Sequence, residues 1–139
     1  MKKIVLFAFI GLIFSSCKQS IKETDIAKIN GYWEIVKVEL PEGGKKEYNV
    51  NPTIDFFEIK ENKGFRQKVM PQLNGKYLTN DVREEISVTN EEGDYYINYT
   101  TQYGNWKEEI IEIQDSILVL KNKEELEYHY KRPIPFSVK

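Results

Sequence analysis

Between Tyr95 and Tyr103 the side chains change character at every step. Tyr95, Ile97, Tyr99, Thr101 and Tyr103 fall on one parity, and Tyr96, Asn98, Thr100 and Gln102 fall on the other. A period of two is the signature of a strand with one covered face and one wet face. Turn residues bound the run: Asn90-Glu91-Glu92-Gly93-Asp94 before it and Gly104-Asn105 after it. The stretch therefore reads as the middle of an antiparallel meander.

The rest of the chain from Gly31 onward repeats this format. Gly31 to Leu40 carries Trp33 and Ile35 on one parity and Val36, Val38 and Leu40 on the other, and this switch predicts a bulge. Pro41-Glu42-Gly43-Gly44 ends that strand, and a polar loop follows with a short extended stretch near Tyr48. Thr53 to Lys60 and Phe65 to Met70 flank the turn Glu61 to Gly64. A brief strand is expected at Lys76 to Thr79, with others at Arg83 to Thr89, Trp106 to Ile113, Ile117 to Leu120 and Leu126 to Arg132. About eight strands joined by hairpin-length connections leave two raw edges unless the sheet closes. The expected fold is all-β, an antiparallel up-and-down barrel whose interior is either packed or holds one small ligand.

The N-terminus carries an address. Met1-Lys2-Lys3, the apolar run Ile4 to Phe14 and the small residues Ser15-Ser16 have the layout of a signal peptide over residues 1–16. The run falls short of the roughly 20 apolar residues that a spanning helix needs. Phe14-Ser15-Ser16-Cys17 resembles a bacterial lipobox, with Phe14 where Leu is usual. That resemblance implies acylation of Cys17 and membrane attachment through its chains, each buried methylene contributing about 0.8 kcal/mol. Cys17 is the only cysteine, so no disulfide can support the exported domain. Residues 17–30 are polar and read as a tether, with a capping turn in which Thr24 or Asp25 caps and Ile26 and Ile29 share a face. The barrel is expected over 31–132 and a tail over 133–139, where Pro133 and Pro135 end regular structure.

Gly31-Tyr32-Trp33 opens the first strand behind that turn. A Gly-x-Trp in this setting resembles the start of a lipocalin barrel, and with the lipobox the chain is similar to small lipocalin-like lipoproteins of Gram-negative bacteria. The resemblance implies that Gly31 and Trp33 close one end of the barrel under a basic side chain of the last strand, Lys131 or Arg132. It also implies a cell-envelope location, with the outer membrane expected, and a small apolar or amphipathic ligand.

Phe56, Phe65, Ile86, Val88, Tyr95, Ile97, Tyr99, Tyr128 and Tyr130 are the candidate cavity lining. Aromatic residues suit a ligand pocket, and they serve equally to fill a small barrel. Arg66, Lys68 and Arg83 would meet an anionic head group if they line the open end. The one histidine, His129, falls outward with Glu127 and Lys131 by alternation. The doublets Glu84-Glu85, Glu91-Glu92, Glu108-Glu109 and Glu124-Glu125 split across the two faces, so none forms a catalytic carboxylate pair. Glu91 to Asp94 reads as a solvated turn rather than a calcium loop. Formal charge is −2, with no basic stripe for nucleic acid. The expectation is a monomeric, non-enzymatic binding module without metal or cofactor. The alternative is a filled barrel whose outer face, where either Phe56 or Phe57 would point, contacts a protein of the envelope.

Overall fold

The computed structural model describes residues 19–48, 51 and 53–134. Cys17, the leader and most of the tail lie outside these residues. A 3-10 turn, Glu23–Ile29, precedes nine strands: β1 Gly31–Glu39, β2 Lys45–Glu47, β3 Ile54–Lys60, β4 Lys63–Pro71, β5 Tyr77–Glu91, β6 Asp94–Thr101, β7 Gly104–Ile113, β8 Ile117–Lys121 and β9 Glu127–Lys131. Sequential antiparallel neighbours run from β3 to β9, and β1 pairs with both β3 and β9. Eight strands thus close into a barrel, with β2 as a short flap on the far half of β1.

Turn chemistry sets the register. Glu61 and Asn62 both adopt positive φ (53° and 65°), as the two-residue β3–β4 hairpin requires. Glu92 and Gly93 do the same between β5 and β6, where the Asn90 side chain accepts the Gly93 N–H at 2.9 Å. Gly64 lies in β4 itself. A Cβ there would fall 1.7 Å from the Glu58 carbonyl oxygen, so only glycine permits the strands to approach so closely.

The parity switches resolve into bulges. β1 shifts register between Ile35 and Lys37, and β7 between Ile110 and Glu112, so Trp33, Ile35 and Val38 all face inward. In β5 a third shift, between the pairs Gln67–Arg83 and Val69–Thr79, falls at residues 80–82, which include an Asn-Asp step. The two strands expected at 76–79 and 83–89 are therefore one bent 15-residue strand, because the irregularity absorbs these poor β-formers without breaking the ladder.

The inward residues of the lower barrel form one packed cluster, including Trp33, Phe57, Ile86, Val88, Ile97, Tyr99, Ile110, Leu118, Leu120 and Tyr130. Ile26 and Ile29 enter it from the 3-10 turn, three residues apart and therefore on one side of that tight helix. Asp25 accepts the Lys22 backbone N–H at 2.9 Å and pairs with Lys28 at 3.1 Å, which fixes the turn. Residues 19–30 are consequently no free tether. Gln19 already exchanges hydrogen bonds with Ile111 and Ile113 of β7, and Ile21 rests against the core. Burial of apolar side chains outweighs the entropy that a polar linker would have kept.

Candidate ligand-binding cleft

The two ends of the barrel are built differently. At the first end Trp33 is fully buried and donates its indole N–H to the Ile29 carbonyl at 2.8 Å. The Arg132 guanidinium lies 3.7 Å from the centroid of that ring. It donates to the carbonyls of Tyr32 (3.0 Å), Lys28 (2.7 Å) and Asp115 (3.0 Å), tying the 3-10 turn, β1 and the β7–β8 turn together. Gly31 sits beneath it at φ +109°, where a Cβ would meet the guanidinium at 3.1 Å. Burial lowers the Arg132 pKa, and the guanidinium remains charged at neutral pH. Of the two basic candidates, Lys131 faces away: it is half-exposed and lies 3.9 Å from Glu34 on the outer wall. Alternation allows only one of two adjacent residues onto Trp33.

At the opposite end the strands open into a cleft of about 1030 Å³, lined by Gly64, Phe65, Arg66, Lys68, Val82, Arg83, Glu84, Glu85, residues 100–103 and Trp106. A second cleft of about 650 Å³ lies between the β6–β7 hairpin and the β8–β9 turn, and Thr100 and Trp106 line both. The first cleft lies where β5 outruns β6, whose pairing begins at Glu85 with Thr100, and the second where β7 outruns β8: their last pair is Glu109 with Lys121, so residues 104–108 are paired on the β6 side alone. Trp106 occupies this stretch and is 40% exposed.

The floor of the cleft is polar. Arg66 donates to Glu84 and lies 4.4 Å from the Tyr99 ring centroid, and Tyr99 in turn stacks on Trp106 at 5.3 Å. Lys68 pairs with the buried Asp55 at 2.8 Å. Burial disfavours the Arg66 cation, but Tyr99, the hydrogen bond to Glu84 and the charge of Asp55 outweigh it, so its pKa lies above the ordinary arginine value. Burial also pushes the Glu108 carboxyl above the usual carboxylate range, and it raises the Tyr99 and Tyr130 phenols strongly. The Tyr99 hydroxyl and one Glu108 oxygen face each other in the interior without a well-formed hydrogen bond.

The lining anticipated from sequence is redistributed. Ile86, Val88, Ile97 and Tyr130 are buried in the packed cluster, and Tyr95 and Tyr128 rest on it, so these six belong to the barrel's packing and none lines the open-end cleft. Tyr99 is both filler and wall of the second cleft. Phe56 faces outward, because its neighbour Phe57 takes the inward position. Phe65, opposite Glu58, also points outward, yet it edges the cleft with Arg83 over its ring at 4.0 Å. The outer aromatics are already occupied: the β4–β5 hairpin folds back so that Tyr77 stacks on Tyr32 at 4.1 Å, beside Phe56. Trp106 and Glu84 were missed as cleft residues, and Asp55 and Glu108 as buried acids. The signal for Glu108 lay in its parity with Trp106 and Ile110, which turns that member of the acidic doublet inward.

The described residues thus form a small antiparallel barrel, plugged at one end by a tryptophan under an arginine and bearing a cleft at the other. Residues 29–120 match the sequence profile of the lipocalin-like domain, and the chain belongs to this family. No curated protein matches it. Among solved structures it is similar to a lipocalin-like protein from Bacteroides uniformis ATCC 8492, with TM-score 0.48 and 8% identity over 76% of this chain and 99% of that one. Apocrustacyanin C1 also matches, with TM-score 0.48 and 8% identity over 87% of this chain and 73% of that one.

Proposed function

We infer that this protein is a non-enzymatic envelope lipoprotein that binds a small amphipathic molecule in the cleft at the open end of its barrel. The observation that carries the reading is the cleft itself. Its volume suits a small molecule, Trp106 and Phe65 offer apolar surface, and Arg66, Lys68 and Arg83 offer cationic contacts. Arg66 and Lys68 are already ion-paired within the protein, so the polar end of the ligand is held by hydrogen bonds more than by net charge.

Acylated Cys17 anchors the protein, with the outer membrane as its location. Because the chain is bound to β7 from Gln19, only Lys18 separates the anchor from the domain. On this reading the plugged end faces the bilayer and the cleft faces away from it. The non-enzymatic reading rests on the splitting of the acidic doublets and on His129, which faces the outer wall with Glu39 and Glu127.

Native mass spectrometry of the mature protein with extracted envelope lipids tests the binding claim. The expected result is a one-to-one adduct that Trp106→Ala weakens without loss of the fold. Absence of any adduct, or an adduct indifferent to Trp106→Ala, overturns it.

A further inference from the structure

On the outer wall, where β1 meets β9 and closes the barrel, Glu39 pairs directly with Glu127, and Lys37 with His129. Glu127 and His129 are two apart on β9 and so share the outward face. Their donor atoms converge: His129 Nε2 lies 3.4 Å from Glu39 Oε2 and 3.3 Å from Glu127 Oε1, and the three atoms lie within 4.8 Å of one another.

The simpler account is an imidazolium shared by two carboxylates, and the distances argue against it. A charge-assisted N–H···O bond settles at about 2.7–2.9 Å, and an Nε2–H shared between these two oxygens reaches neither at that length. Nε2 is shielded from solvent and has no hydrogen-bond partner. A tetrahedral cation with bonds of about 2.0–2.1 Å holds its ligand atoms about 3.3 Å apart, which matches the separation of Nε2 from each of the two carboxylate oxygens. Glu39 is further prepared: Lys37 holds its other oxygen at 3.0 Å.

We propose that Glu39, Glu127 and His129 form a surface site for a first-row transition cation such as Zn²⁺, with the fourth position open to water. Mixed imidazole and carboxylate donors suit zinc, whereas Mg²⁺ prefers an all-oxygen octahedron. The site lies on the face of the sheet opposite the cleft, since Tyr128 and Tyr130 on either side of His129 turn inward. A bound ion would clamp the β1–β9 seam, the one closure between chain-distant strands.

The test is isothermal titration of the tag-free mature protein with ZnCl₂, with MgCl₂ as a second arm, read alongside the imidazole nitrogen signals. His129 is the only histidine, so those signals need no assignment. The expected outcome is one Zn²⁺ per chain, a shift of Nε2 rather than Nδ1, and a rise in Tm with zinc. His129→Ala and Glu127→Gln should each weaken binding about tenfold or more. Both substitutions lie on the outer wall, and circular dichroism verifies that each variant is folded. Zinc binding undiminished in His129→Ala, an unmoved Nε2 signal at saturating zinc, or equal affinity for Mg²⁺ overturns the proposal.

Discussion

Replacing Arg132 with alanine removes the cover of the plugged end, and its cost can be worked from four contacts. The hydrogen bond to the Tyr32 carbonyl is partly buried and contributes about 1 kcal/mol. Those to Lys28 and Asp115 are exposed, so water replaces them and each contributes about 0.5 kcal/mol. The cation over the Trp33 ring at 3.7 Å contributes about 1 kcal/mol. Arg132→Ala should therefore cost about 3 kcal/mol, which for a domain of this size lowers Tm by about 10 °C. Arg132→Lys keeps the charge but loses the planar fork that reaches three carbonyls, and should recover about half. Lys131→Ala, which severs only the long contact to Glu34, should stay within about 0.5 kcal/mol. Urea denaturation with unchanged m-values measures all three. A loss below about 1 kcal/mol in Arg132→Ala, or full rescue by lysine, would refute the argument that geometry rather than charge makes this cap.

Three further outcomes follow. Gly64→Ala should destabilise by more than about 3 kcal/mol or prevent folding, since its Cβ meets backbone and not a movable side chain; near-wild-type stability in a chemical melt contradicts this. Glu108 has a folded pKa above its ordinary 4.5, so the native state holds its proton longer and pays a penalty that grows as pH rises from 4.5 through the folded value. Glu108→Gln should thus gain in Tm over wild type as pH increases across that window, and a flat or falling difference contradicts the sign. Cys17→Ala should move the protein from the membrane fraction to the soluble fraction, whereas continued retention removes the lipoprotein reading.

The architecture was legible because its signals are local. The alternation from Tyr95 to Tyr103, the turn at Glu61 and Asn62, and the glycine two residues before Trp33 each act within a few positions. The parity switch in β1 announced its bulge for the same reason. What the sequence left hidden depends on layer and closure. Ile97 and Tyr99 point to the same interior from one strand, yet Ile97 lies deep among packed side chains while Tyr99 reaches the clefts, and period-two logic cannot separate depths along a strand. Phe56 and Phe57 differ only in parity, and either could have faced in. Trp106 became a cleft residue because β8 stops short of it, a fact about strand lengths across the barrel. The capping turn with Ile26 and Ile29 on one face was legible, but the polar composition around it concealed that residues 19–30 dock on the barrel, Ile21 included.

The two tryptophans offer the most direct test, because Trp33 lies in the plugged end and Trp106 at the cleft. Each gives one indole N–H signal in a two-dimensional nitrogen–proton spectrum. Titration with extracted envelope lipids should shift the Trp106 indole and leave the Trp33 indole in place. A shift confined to Trp33, or two unmoved indoles under conditions where an adduct is present, would contradict binding at the open end.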